Sequence, residues 1–259
     1  MKKDVLKNFN DMDYNSVVII KWKEESNMKK IVGVVAAMET EISAIKQAEE
    51  ISKTDVVAGL DFCVGKVGEQ DVVVVQCGMG KVNATLATQI LIEKYGVGAI
   101  INIGCAGGLN DSLNIGDFVI STEVVQHDYD VSAIGYKKGE VPYSGKISFE
   151  ADENLISIAE QAISTVNSDR QIIKGRICSG DQFICTTEQK ETIIKNFGGE
   201  CAEMEGAAVG QVAYMNEVPF VIIRAMSDSA NNPDDFTKYV DQVTEEGANV
   251  VLEMLKHIN

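Results

Sequence analysis

The feature that most constrains this chain is a regular alternation of short, β-branched apolar runs with longer helical stretches. The runs at 31–36, 72–76, 99–103, 117–121, 171–177 and 219–225 predict strands buried on both faces. Helices are predicted at 39–49, 82–95, 152–165, 187–196, 205–216 and 236–257. The segment "DFCVGKVGEQDVVVVQ" (61–76) predicts an antiparallel hairpin turning near Gly68. This order specifies a single-domain, three-layer α/β/α fold with a mixed sheet. On such sheets ligands gather at the carboxyl ends of the strands. Glycines and acids are concentrated there, in "METE", "GMGK", "GCAGG", "SGDQF", "EME" and "SDSA".

The first 27 residues break the pattern. Their five basic and five acidic residues cancel, and they lead directly to a second methionine, Met28. We expect residues 1–27 to be an extension outside the core, Met28 to be the physiological start, and 28–259 to form the domain. Intact mass of the protein from its native host distinguishes the two starts.

Composition then narrows the function. The 259 residues carry a formal net charge of −16, so nucleic acid and anionic membrane surfaces are not expected partners. No apolar run approaches the ~18 residues that cross a bilayer. "SVVII" is too short for a signal segment, and a cytoplasmic location is expected. The six cysteines lack metal-type spacing and read as reduced thiols, mostly buried. With two histidines, His127 and His257, no histidine-based metal cage can form. The arginines are three, Arg170, Arg176 and Arg224, a small supply for a pocket that binds free phosphate.

Several strand ends carry candidate chemistry. "QCGMGKVNA" (76–84) places two glycines between a strand and a helix, where exposed amides favour electron-rich ligands. Its spacing is not that of a nucleotide P-loop. In "NIGCAGGLNDSLNIGD" (102–117) the turn after a buried strand contains Gly107 and Gly108, which allow a planar base to lie on the backbone. "CAEMEGAA" (201–208) sets Glu203 and Glu205 around Met204; a carboxylate suits vicinal ribose hydroxyls, and equally the start of a helix. Glu41 in "METE" is open to the same two readings. Arg224 lies inside an apolar strand and needs a partner or a purpose. Asp228 follows that strand, where it caps a turn or acts in a cleft.

Taken together and in order, "AAMETE", "GMGKVNA", "GCAGGL", "HDYDVSAIGY", "SGDQFI", "EMEGAA" and "RAMSD" resemble the nucleoside phosphorylase/nucleosidase superfamily. Within it the bacterial methylthioadenosine/S-adenosylhomocysteine nucleosidases are most similar, over essentially all of 28–259. The resemblance implies hydrolysis of the N-glycosidic bond of 5′-thio-substituted adenosines, and of 5′-deoxyadenosine, in methionine salvage and S-adenosylhomocysteine recycling. It implies that Glu41 activates water and Arg224 helps to hold it. Asp228, oriented by Ser227, protonates the leaving adenine. It further implies that Glu205 grips the ribose hydroxyls, Met204 packs on the sugar, and Glu203 belongs to the same binding group. Phe183 stacks on the purine and Ile184 offers it backbone hydrogen bonds. Met38, Met79, Gly107, Cys105, Val131 and Tyr136 line the nucleoside and its 5′ group, while Ile134 and Pro142 come from the second subunit of a homodimer. No cofactor and no metal are implied.

Cys105 stands where some members have serine or valine, and Ile134 replaces an aromatic. The loop "SDSANNPDDF" is shorter than in many relatives, so neither Phe236 nor Tyr239 is assigned to the 5′ group. A phosphorylase and a catalytically silent nucleoside binder are the alternatives.

Overall fold

The computed structural model describes residues 31–142 and 144–258. The expected extension at 1–27 and the start at Met28 lie outside the described residues. In chain order the elements are β1 (Val32–Ala36), α1 (Glu39–Ala48), β2 (Glu50–Val57), β3 (Leu60–Val67), β4 (Gln70–Gln76), α2 (Lys81–Tyr95) and β5 (Ala99–Gly108). Then come β6 (Phe118–Gln126), a short 3-10 helix (Ser132–Ile134), β7 (Ser148–Glu150), α3 (Glu153–Val166), β8 (Ile172–Ser179) and α4 (Thr187–Phe197). The chain continues with β9 (Cys201–Glu203), α5 (Gly206–Met215), β10 (Phe220–Asp228) and α6 (Pro233–Met254).

All six expected strands and all six expected helices are present, and the hairpin turns at Gly68, whose φ is +58°. Strands β2, β7 and β9 had no apolar run to announce them. β2 is a largely exposed outer strand, so its sequence is polar, and β7 and β9 are three residues each.

The strands form one mixed sheet. β1 runs parallel to both β4 and β5, and β5 parallel to β10, while β3 and β2 extend the edge in antiparallel fashion. Beyond β5 the sheet closes on itself: β10 pairs with β6, β6 with β8, β8 with β9, and β9 returns to β5. Closure brings the ends of β5, β8, β9 and β10 around one hollow. Helices α1, α3 and α6 pack together on one side, and α2 packs with α5. The strand cores Val32–Ala36 and Phe220–Asp228 are buried throughout, as expected for strands covered on both faces. Among the described residues no helix is long and apolar enough to cross a membrane, and no group of three or more His, Cys, Asp or Glu is placed to hold a metal ion.

Candidate active site

The glycine-rich sequences differ in local structure. "GMGK" is a true turn, with Gly78 at φ +84° and Gly80 at φ +97°. "GCAGG" is not a turn, as the sequence suggested; it is the last half of β5. Its glycines make room for side chains. A Cβ on Gly104 would lie 2.8 Å from Glu41 Oε1 and 3.3 Å from Arg224 Nη1, and one on Gly107 would lie 2.8 Å from Asp228 Oδ1.

Around these glycines lies an open cleft. The wall contains Met38, Glu41, Met79, Cys105, Gly107 and Phe183. Ile184, Glu203, Met204, Glu205, Ser227 and Asp228 complete the expected residues that it brings together.

Glu41, 3 % exposed, is the third residue of α1 and reaches back over the helix start. Its Oε2 accepts the N–H groups of Ala37 (2.9 Å) and Met38 (2.8 Å), and its Oε1 accepts that of Cys105 (3.2 Å). Burial raises its pKa, while the Arg224 charge and these N–H groups oppose the rise. Burial is the largest of these effects, and the pKa stays above the usual carboxylate value.

Asp228, 4 % exposed, owes its direction to an irregularity. Between Met226 and Asp228 the pairing of β10 with β5 slips by one residue at Ser227. A regular strand would turn successive side chains to opposite faces; the bulge lets Ser227 and Asp228 both border the cleft. Ser227 Oγ donates to Asp228 Oδ2 (2.9 Å) and the Ala230 N–H donates to Oδ1 (2.8 Å). Burial raises the Asp228 pKa and outweighs both donors, which favours a proton on this acid.

The two acids of "EME" part company. Glu205 Oε1 accepts the Gly80 N–H (2.8 Å), and its Oε2 stands 3.8 Å from Arg224. Burial and then the neighbouring Glu203 push its pKa up to about 7. Glu203 borders the cleft, but the structure does not leave it free to bind a ligand. It pairs with Arg224, accepts from Ser179 Oγ, and takes the N–H groups of Glu205 (3.1 Å) and Gly206 (2.7 Å) at the start of α5. Glu203→Gln removes the countercharge of a guanidinium that is 1 % exposed; we expect a loss of about 3–5 kcal/mol in stability, read from the denaturant midpoint. An unchanged midpoint would contradict this pairing.

Arg224 itself does not line the cleft. Besides Glu203 it donates to Asn102 Oδ1 (2.6 Å) and the Ile223 carbonyl (3.1 Å), so it acts on Glu41 from behind, by its field. Val131, Ile134, Tyr136 and Pro142 also lie outside the cleft wall of this chain. In their segment the Gly139 N–H donates to the Tyr129 carbonyl (2.8 Å), and a Cβ on Gly139 would lie 2.8 Å from the Phe197 ring.

Other residues were left unassigned by the sequence reading. Phe236 borders the cleft and meets Phe183 edge-on at 5.4 Å between ring centres, whereas Tyr239 packs against the core. Gln182 is also in the wall. Asn102 had a readable signal, a polar residue inside a buried run, the same anomaly that marked its partner Arg224.

Comparison with known proteins identifies the family. A family model described as the phosphorylase superfamily matches residues 31–257. A 5′-methylthioadenosine/S-adenosylhomocysteine nucleosidase of Shewanella pealeana is 41 % identical over 230 residues, 88 % of this chain and 99 % of the relative. The crystal structure of the nucleosidase of that name from Neisseria meningitidis, in complex with methylthio-immucillin-A, superposes with a TM-score of 0.84 at 37 % identity, covering 88 % of this chain and 99 % of that one. Futalosine hydrolase of Helicobacter pylori gives a TM-score of 0.84 at 30 % identity, covering 89 % and 99 %. Identity of this order along nearly the full length of both chains settles descent: the chain belongs to the phosphorylase superfamily and, within it, to the family of 5′-methylthioadenosine/S-adenosylhomocysteine nucleosidases.

Proposed function

We propose that the protein hydrolyses the N-glycosidic bond of 5′-methylthioadenosine and S-adenosylhomocysteine, and of 5′-deoxyadenosine, releasing adenine. The observation that carries this is one cleft lined by two buried carboxyl groups, Glu41 and Asp228, each held by its own hydrogen-bond donors. Glu41 is supported in its ionised form by three N–H groups and a nearby guanidinium. Asp228 is biased by burial toward its protonated form. Burial raises the pKa of both, and we assign Glu41 as base for its third donor and its guanidinium neighbour, and Asp228 as acid.

The bond between the anomeric carbon and the purine breaks, and its electron pair leaves with the base. Asp228 gives its proton to a nitrogen of the five-membered ring. Water attacks the anomeric carbon and passes a proton to Glu41. Glu205 binds the ribose hydroxyls, Met204 packs on the sugar, Phe183 stacks on adenine and Ile184 offers it backbone groups. Phe236, edge-on to Phe183, closes the same side.

The cations argue against phosphate as nucleophile. Arg170 pairs with Glu246 (2.7 Å), Arg176 with Glu123 (2.6 Å) and Arg224 with Glu203. Lys81 of "GMGK" is bound to Asp128 (2.6 Å) and Gln126 (3.0 Å). Adenine release should therefore proceed at the same rate with and without phosphate. Strict phosphate dependence would support a phosphorylase, and no release at all a silent binder. The likeness to futalosine hydrolase makes futalosine the fourth substrate to test, beside the three adenosines.

A homodimer is part of the proposal. Val82 and Met215, on α2 and α5, are 78 % and 70 % exposed, beside a second hollow that both line. Burying this face against a second copy accounts for it; that Ile134 and Pro142 serve the neighbour's cleft is a separate part of the proposal. Sedimentation should give twice the chain mass, and Val82→Lys with Met215→Lys should halve it. We place the protein in the cytoplasm, where its six cysteines, all free, remain thiols.

A further inference from the structure

Lys190 lies in the first turn of α4, where the helix dipole disfavours a cation, and it is 7 % exposed. Neither helix energetics nor solvation explains a lysine there. Its ammonium donates to Asp111 Oδ1 (3.0 Å) and to the carbonyl of Ser229 (3.1 Å). Asp111 is 94 % exposed, so water screens that ion pair and leaves much of the lysine charge directed inward.

The Ser229 carbonyl belongs to the same peptide group as the Ala230 N–H, which donates to Asp228 Oδ1 at 2.8 Å. In a trans peptide the C=O and N–H bonds point in opposite directions and their dipoles add, so one rigid plane spans from the ammonium to the carboxyl. The plane is hard to hold otherwise. Ala230 is a fully buried non-glycine residue at φ +58°, a costly conformation that the surroundings must impose.

We propose that Lys190 is a positioning residue for the general acid: it grips the oxygen end of the 229–230 peptide so that the N–H end faces Asp228 and stabilises the carboxylate left when the proton goes to the departing purine. The inference rests on the reading of Asp228 as that acid. The other groups facing Asp228 are the Ser227 hydroxyl, which also favours the carboxylate, and Asp235 of α6, whose like charge opposes it. Lys190 supplies the cation on this side.

The test is the pH profile of kcat for adenine release by Lys190→Met and Lys190→Arg. Activity needs protonated Asp228 and falls as pH rises through its pKa. Without the cation the acid is weaker, so in Lys190→Met the alkaline limb should move up by about one unit, with a lower plateau and little change in KM. Lys190→Arg, which keeps the charge, should retain the limb near its original position. If Lys190→Met does not fold, Lys190→Gln, a donor without charge, is expected to shift the limb in the same direction. A limb that stays in place in the folded neutral variant, or moves equally in Lys190→Arg, would overturn the proposal. Asp228→Asn separates the two readings: an alkaline limb that survives in its residual activity shows that another group titrates, and the failure then lies with the acid assignment.

Discussion

Asp228→Asn is expected to lower kcat by about 10³-fold, within the usual 10²–10⁴ for loss of a general acid, equivalent to roughly 3–5 kcal/mol of barrier. The amide has the shape of the acid but no proton to give at this acidity. It also inherits two donors, Ser227 Oγ and the Ala230 N–H, that now address one carbonyl oxygen and one NH₂. One donor is left facing another. The adenosine side of the cleft is made by other residues, so a nucleoside should still bind, and KM should change far less than kcat. Single-turnover adenine release, with binding of an unreactive adenosine analogue measured in parallel, checks both statements. Turnover within tenfold of the native rate would remove Asp228 from the role of acid.

Glu41→Gln should cost a similar factor for the opposite reason. The base must be ionised to take a proton from water, and an amide cannot take it. Three N–H groups converge on the native carboxylate, from Ala37, Met38 and Cys105. Glutamine can satisfy the first two through its oxygen, but its NH₂ then points at Cys105. Some loss of stability, about 1–3 kcal/mol for an unsatisfied buried donor, should accompany the loss of rate. In the native protein the two carboxyls give a bell-shaped profile: activity rises as Glu41 ionises and falls as Asp228 loses its proton. Each apparent pKa belongs to the coupled site. Glu41→Gln should erase the acid limb and Asp228→Asn the alkaline one. Native kcat in Glu41→Gln would show that the water is activated elsewhere.

Much of this protein was legible before its structure. The order of strands and helices follows from short apolar runs bounded by glycine and acid, a pattern set by neighbours along the chain. The candidate carboxyls were legible for the same reason, since Glu41 and Asp228 stand at strand ends, where open α/β sheets place ligands. Asn102 could have been found by the rule that singled out Arg224, because both are polar groups in buried strands.

What each polar atom faces was decided only in three dimensions. Glu203 and Glu205 share one tripeptide and are alike in sequence, yet Glu203 is neutralised by Arg224 from β10 and Glu205 is held by Gly80 from the turn after β4. The glycines of β5 read as a turn until the structure showed Glu41, Arg224 and Asp228 lying where their side chains would be. The one-residue slip at Ser227, the closure of the sheet through β9, and Phe236 against Phe183 are of the same kind. Periodicity is a property of neighbours along the chain, so the sequence carries it directly. Hydrogen bonds, charge pairing and steric fit fall off within a few ångströms through space, so they exist only once distant segments have met.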